Sequence, residues 1–205
     1  MDKRLYIDNY YKGKMEKANE EYQILGWESR EAHYKRFNMF ESCFDFNGKK
    51  VLDVGCGVGS FYSYLKERGI DFKYTGVDLL KNMIDIAKKN NPDGNFICED
   101  ILNDKYSIEN VYDIIVMSGI FNLKLGNNKK FIISTIKKLI ECTKEGIIFN
   151  LLHTDSDDKE DLYYYIHHEE AVSLLKEVCG DTFKIDYIRG YLINDYTICL
   201  RKNAF

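Results

Sequence analysis

Within Val51–Phe61, VLDVGCGVGSF, three glycines fall in five residues directly after a β-branched, apolar run. Glycine in regular structure costs roughly 0.5–1 kcal/mol against alanine, so a chain concentrates it only where backbone must turn sharply or be approached closely. The run KVLDVG reads as a short buried strand, and Ser60–Arg68, with Phe61 and Leu65 one turn apart and Gly69 after it, reads as a helix. A strand, a glycine loop and a helix in that order place the loop at a strand's carboxyl end, where open α/β sheets bind ligands.

The same alternation continues to residue 202. FKYTGVD, NFICED, YDIIVMSG and GIIFNLL read as strands. LLKNMIDIAKKN, NKKFIISTIKKLIECTKEG and HEEAVSLLKEVCG read as the helices between and after them, and NPDG as a turn. TFKIDYIRGYLINDYTICLRK reads as two strands joined as an antiparallel pair. Residues 1–46 read as helical, with Ser29 capping a helix that carries Phe37, Phe40 and Phe44 on one stripe. The expectation is an α/β fold: a Rossmann-like doubly wound sheet of about seven strands, mostly parallel with an antiparallel C-terminal strand. One domain spans 1–205, made of an N-terminal helical cap, 1–46, and a core, 47–205. No repeat or linker divides it.

Spacing restricts the ligand. The loop is Gly55-x-Gly57-x-Gly59, with Ser60 where a dinucleotide fingerprint has its third glycine, and no phosphate-binding P-loop motif occurs. Asp53, two residues before Gly55, would be unfavourable beside a pyrophosphate. VLDVGCGVGSF, YTGVDLL, NFICEDI and YDIIVMSGIF together resemble the four ordered motifs of class I S-adenosylmethionine-dependent methyltransferases of the small-molecule type, over about residues 50–150.

The resemblance implies S-adenosyl-L-methionine as cofactor and a cofactor site built from Asp53, Gly55, Cys56, Gly57, Gly59, Asp78, Leu79, Met83, Asp100, Ile101 and Ser118. In it the glycines admit the methionine and ribose portions, and Asp78 accepts the ribose hydroxyls. Leu79 and Met83 sandwich adenine, and Asp100 and the Ile101 amide meet its edge. GWESREAHYKRF resembles a segment of related small-molecule enzymes and adds Trp27 and Arg36, with Arg36 free to pair with the cofactor carboxylate. The single proline, Pro92, excludes the double-proline motif of amino-methylating DNA enzymes.

Methyl transfer is a direct displacement, so alignment and water exclusion matter more than a nucleophile motif. Phe121 and Asn122 after the fourth strand, and Asn150 on the fifth, are the candidate acceptor contacts. His153 is the candidate general base. Tyr6, Tyr10, Tyr11, Tyr22, Trp27 and Tyr34, with Tyr163, Tyr164 and Tyr165, suit either a lid over a polar small molecule or packing of the first helices on the sheet. His167 and His168 read as structural, Asp155–Asp161 as a solvated loop, and no metal site is expected.

Composition narrows the acceptor. Net charge is −4 and lysines are interleaved with acids, which gives no electrostatic footprint for nucleic acid or an anionic membrane. Six cysteines without a CxxC pair suit a reducing, cytoplasmic setting. The expected activity is methyl transfer to a small molecule, oxygen slightly ahead of nitrogen. The alternatives are a non-catalytic cofactor-binding partner subunit and an aminopropyltransferase-like enzyme, for which MSGIFN lacks the paired acids.

Overall fold

The computed structural model describes residues 3–18, 20–103, 108 and 111–203. In chain order the elements are α1 Lys3–Met15, α2 Glu21–Ile24, α3 Arg30–Cys43, β1 Lys49–Val54, α4 Ser60–Glu67, β2 Phe72–Asp78, α5 Lys81–Asn90, β3 Asn95–Cys98, β4 Tyr112–Met117, α6 Asn128–Leu139, β5 Thr143–Leu152, α7 His168–Cys179, β6 Phe183–Ile188 and β7 Asp195–Lys202. The seven strands form one sheet in the order β3-β2-β1-β4-β5-β7-β6. β1 to β5 are mutually parallel; β7 runs antiparallel to both β5 and β6. This is the expected doubly wound sheet with its antiparallel end.

Period-2 side-chain alternation divides the interior into two layers. Leu52, Ile115, Ile147, Phe149 and Leu200 pack with Ile132, Ile136, Ala171 and Leu175 of α6 and α7. Their sequence neighbours Val51, Ile114, Ile148 and Cys199 point the other way and pack with Phe37, Phe40, Phe61 and Ile84 of α3, α4 and α5. Both faces are therefore covered, which is why these strands are nearly continuous apolar runs.

Ser29 caps α3 by accepting the Ala32 amide at 3.0 Å, as its position suggested. The sixth helix is shorter than its pattern. It ends at Leu139, a 3₁₀ turn follows over Ile140–Cys142, and β5 starts at Thr143 paired with Tyr112. The Thr143 hydroxyl holds that start: it accepts the Gly146 amide at 3.1 Å and lies within 3.0 Å of the Asp113 and Gly146 carbonyls, to one of which it donates. α1 packs through Ile7, Tyr11 and Met15 on a small apolar cluster of Val58, Leu80 and Met83, above the ends of β1 and β2. No helix among the described residues is long and apolar enough to cross a membrane.

Candidate active site

Strand order reverses between β1 and β4, and the carboxyl ends there open on a cavity of about 750 Å³. Its floor is the glycine loop. Gly55, Gly57 and Gly59 have φ of 73°, 54° and 83°, the left-handed region that side chains resist. Gly55 and Gly57 line the cavity, and Cβ atoms there would strike Ile120 and Leu25. Gly59 instead faces the protein, where a Cβ would meet Asn91 and Phe96. Its freedom serves the entry into α4 rather than ligand contact.

Asp78, at the tip of β2, accepts the Gly57 amide on one carboxylate oxygen and the Leu80 amide on the other, both at 2.9 Å. Burial raises its pKa, while the amides of Leu80 and Gly57 pull it back. Each oxygen keeps a lone pair for a further donor. Asp53 is buried under the loop, and burial raises its carboxyl to about 7 despite the Tyr74 hydroxyl donated to it at 2.6 Å. Cys56, Leu79, Met83, Asp100, Ile101, Ser118, Trp27 and Asn122 also line the cavity.

Arg36 is on the wall but is already paired. Its Nε binds Asp195 Oδ2, its Nη1 donates to the Ala32 carbonyl at 2.9 Å, and its guanidinium lies 3.9 Å from the centroid of the Trp27 ring. Asp195 was not anticipated from sequence. It opens β7, and Asn150 donates to it from β5 at 3.1 Å while accepting the Gly119 amide at 2.9 Å. Burial raises the Asp195 carboxyl, and Arg36 and Asn150 lower it.

Three expected contacts lie elsewhere. Phe121 is 1% exposed and packs edge-to-face on Phe131 and Phe149 in the apolar layer beneath. Asn150 is fully buried and acts through Gly119 and Asp195 rather than at the wall. His153 is 1% exposed and points away, with Nε2 3.0 Å from His168 Nδ1. A buried imidazole joined to other histidines, off the cavity, is not placed to take a proton from an acceptor.

The roof comes from α1 and the segment after β5. Tyr10, Tyr11, Tyr163 and Tyr165 line the cavity, and the Tyr10 and Tyr163 hydroxyls meet at 2.9 Å. Among the described residues, seven buried side-chain polar atoms lack a partner. Five belong to cavity residues: Trp27 Nε1, Ser60 Oγ, Ser118 Oγ, Asn122 Oδ1 and Asp195 Oδ1. Each such atom costs about 1–3 kcal/mol if left unpaired, so their gathering in one cavity fits a ligand rich in hydrogen-bonding groups.

A family model described as a methyltransferase domain matches residues 51–146. A Mycobacterium tuberculosis protein named as a methyltransferase is 29% identical over 164 residues, covering 74% of this chain and 92% of its own. The demethylmenaquinone methyltransferase of Thermotoga maritima is 26% identical over 57% of this chain and 50% of its own. Among solved structures, the magnesium protoporphyrin IX methyltransferase of Synechocystis PCC 6803 with bound S-adenosylmethionine superposes with a TM-score of 0.68 at 13% identity, covering 99% and 98% of the two chains. The plantazolicin methyltransferase BpumL, in complex with a triazolic desmethylPZN analogue and S-adenosylhomocysteine, gives 0.67 at 19% identity over 85% and 87%. At such identities these structures speak to the fold.

Proposed function

We propose that this chain, a class I S-adenosylmethionine-dependent methyltransferase, methylates a small molecule held between its glycine loop and the tyrosines of α1 and the post-β5 segment. The observation that carries the reading is the set of five unpartnered buried polar atoms around one cavity. Bound there, the cofactor supplies a methyl group on a sulfonium already activated for displacement. The free lone pairs of Asp78 receive the ribose hydroxyls, and Leu79 and Met83 clasp the adenine. Asp100 and the Ile101 amide meet its edge, and Gly55 and Gly57 let the backbone lie against the ligand. Arg36, through the side of its guanidinium not given to Asp195 and Ala32, receives the carboxylate.

For the acceptor, a volume of about 750 Å³ shared with the cofactor suits a metabolite-sized molecule. An acceptor hydroxyl is favoured over an amine because Asp195 Oδ1 is a buried carboxylate oxygen without a partner. It takes the hydroxyl proton as the acceptor oxygen bonds to carbon. Asn122 orients the acceptor, and Tyr10 with Tyr163 excludes water.

Calorimetry tests the reading. S-adenosylmethionine and S-adenosylhomocysteine are expected to bind and NAD not to; binding of NAD alone overturns it. Transfer of tritiated methyl from cofactor to a metabolite pool then identifies the acceptor.

A further inference from the structure

We propose that His153, His167 and His168 form a site for a divalent transition metal of the zinc class, separate from the cavity. The fold assembles it from two places: His153 follows β5 directly, and His167 and His168 are the N-cap and first residue of α7. Each offers a ring nitrogen, and the three nitrogens lie within 4.8 Å of one another. Four-coordinate zinc holds imidazole nitrogens at about 2.0–2.1 Å, so two ligands sit on the order of 3.3 Å apart. His153 Nε2 and His168 Nδ1, at 3.0 Å, are already near that spacing. Rotation of the half-buried His167 side chain, which gives up the long 3.4 Å cap bond its Nδ1 accepts from the Glu169 amide, closes the third edge, and water completes the set.

The surroundings keep His153 and His168 as ligands rather than cations. Burial and the Arg189 guanidinium hold His153 below its ordinary pKa, and burial with the neighbouring His167 does the same for His168. Asp155 Oδ2 lies 3.3 Å from His153 Nδ1. The Asp155 backbone amide also donates to Nδ1, at 3.0 Å; when metal takes Nε2, the imidazole proton moves to Nδ1, the amide turns away and the carboxylate accepts in its place, as carboxylates commonly orient metal-bound histidines. Arg189 is the competitor: it approaches His153 Nδ1 at 3.4 Å and His168 Nδ1 at 3.5 Å, and is itself paired with Asp155 at 3.2 Å. None of the three histidines lines the methyl-transfer cavity. The metal ties the loop leaving β5 to the start of α7.

The test uses untagged, chelator-stripped protein dialysed against zinc and, separately, cobalt. One equivalent is expected at micromolar free zinc, and cobalt is expected to show weak visible bands without the thiolate charge-transfer absorption that cysteine ligation gives. His153→Asn and His168→Asn are expected to weaken binding at least about tenfold. Arg189→Ala, which removes no ligand, is expected to tighten it several-fold; this keeps the idea testable should the histidine variants fold poorly. Substoichiometric zinc, a thiolate band, unchanged affinity in both histidine variants, or unchanged affinity in Arg189→Ala overturns the proposal. None of these results bears on cofactor binding, so the two readings fail separately.

Discussion

The carboxylate of Asp78 accepts the backbone amide of Gly57 at 2.9 Å, so the tip of β2 fixes the loop that follows β1. One side chain thus shapes the floor of the cavity and still offers acceptors to a ligand. Asp78→Ala is expected to weaken S-adenosylhomocysteine binding by at least about tenfold, on the order of 1.4 kcal/mol. It is also expected to destabilise the chain by about 1–3 kcal/mol, because two loop amides lose their acceptor. Calorimetry and urea unfolding read the two effects apart; unchanged affinity removes Asp78 from the cofactor site.

Gly55 has φ of 73°, and a Cβ there strikes Ile120. Gly55→Ala is expected to lower stability by about 1–3 kcal/mol from backbone strain and contact. At about 2–4 °C per kcal/mol for a chain of this size, the change is visible as a fall in Tm. Adding Ile120→Ala is expected to relieve the contact but not the strain, so recovery in the double variant is partial. Full recovery contradicts the backbone argument.

Burial raises the Asp53 carboxyl from 3.8 to about 7 in the folded protein. The folded chain therefore binds more protons than the unfolded chain between these values, and stability falls as pH rises through that window. Below about pH 4 both states are protonated and no penalty exists; above about pH 7 the loss is complete. Its size is on the order of 4 kcal/mol. Asp53→Asn keeps an acceptor for Tyr74, so urea unfolding from pH 4.5 to 7.5 is expected to give a flatter profile than the wild type. Parallel profiles reject the shift.

Arg36 and Asp195 are a buried pair from α3 and β7. Arg36→Ala is expected to cost about 3–5 kcal/mol, because it strands a buried acid. The double change Arg36→Met with Asp195→Asn is expected to regain most of that stability while methyl transfer stays lost. Recovery of both shows that the pair serves only packing.

The hydroxyls of Tyr10 and Tyr163 close the roof with one hydrogen bond, worth about 0.5–1.5 kcal/mol. Tyr10→Phe is expected to speed cofactor release about 3–10-fold with a small change in Tm, and Tyr163→Phe to do the same. The double variant is expected to be no faster than either single one, as measured by stopped-flow displacement. Additive effects mean the two residues act apart.

The sheet and the glycine floor were legible because both write themselves locally, the first as a change of hydrophobic period and the second as glycines that only a left-handed loop requires. Ser29 was legible as a cap for the same reason. The start of β5 at Thr143 was not, since Lys144 and Glu145 break the apolar run and the helical pattern of α6 continues past its end. The place of Phe121 after β4 points to the acceptor, but position in a loop does not say which way a ring turns. Asp195 carries a weaker signal: an acid beginning a largely apolar strand needs a buried partner, but nothing local names Arg36, 159 residues away. The meeting of His153 with His167 and His168 depends on how a loop folds back, which no periodicity records.

The position of β7 between β5 and β6 has a consequence for synthesis. β6 leaves the ribosome first, yet among the described residues its only sheet neighbour is β7. It must wait beside an open β5 edge until residues 195–202 emerge. The sheet closes in reverse of the order in which its last strands are made, and the unguarded edge during that interval is where a nascent chain is most exposed to pairing with a stranger.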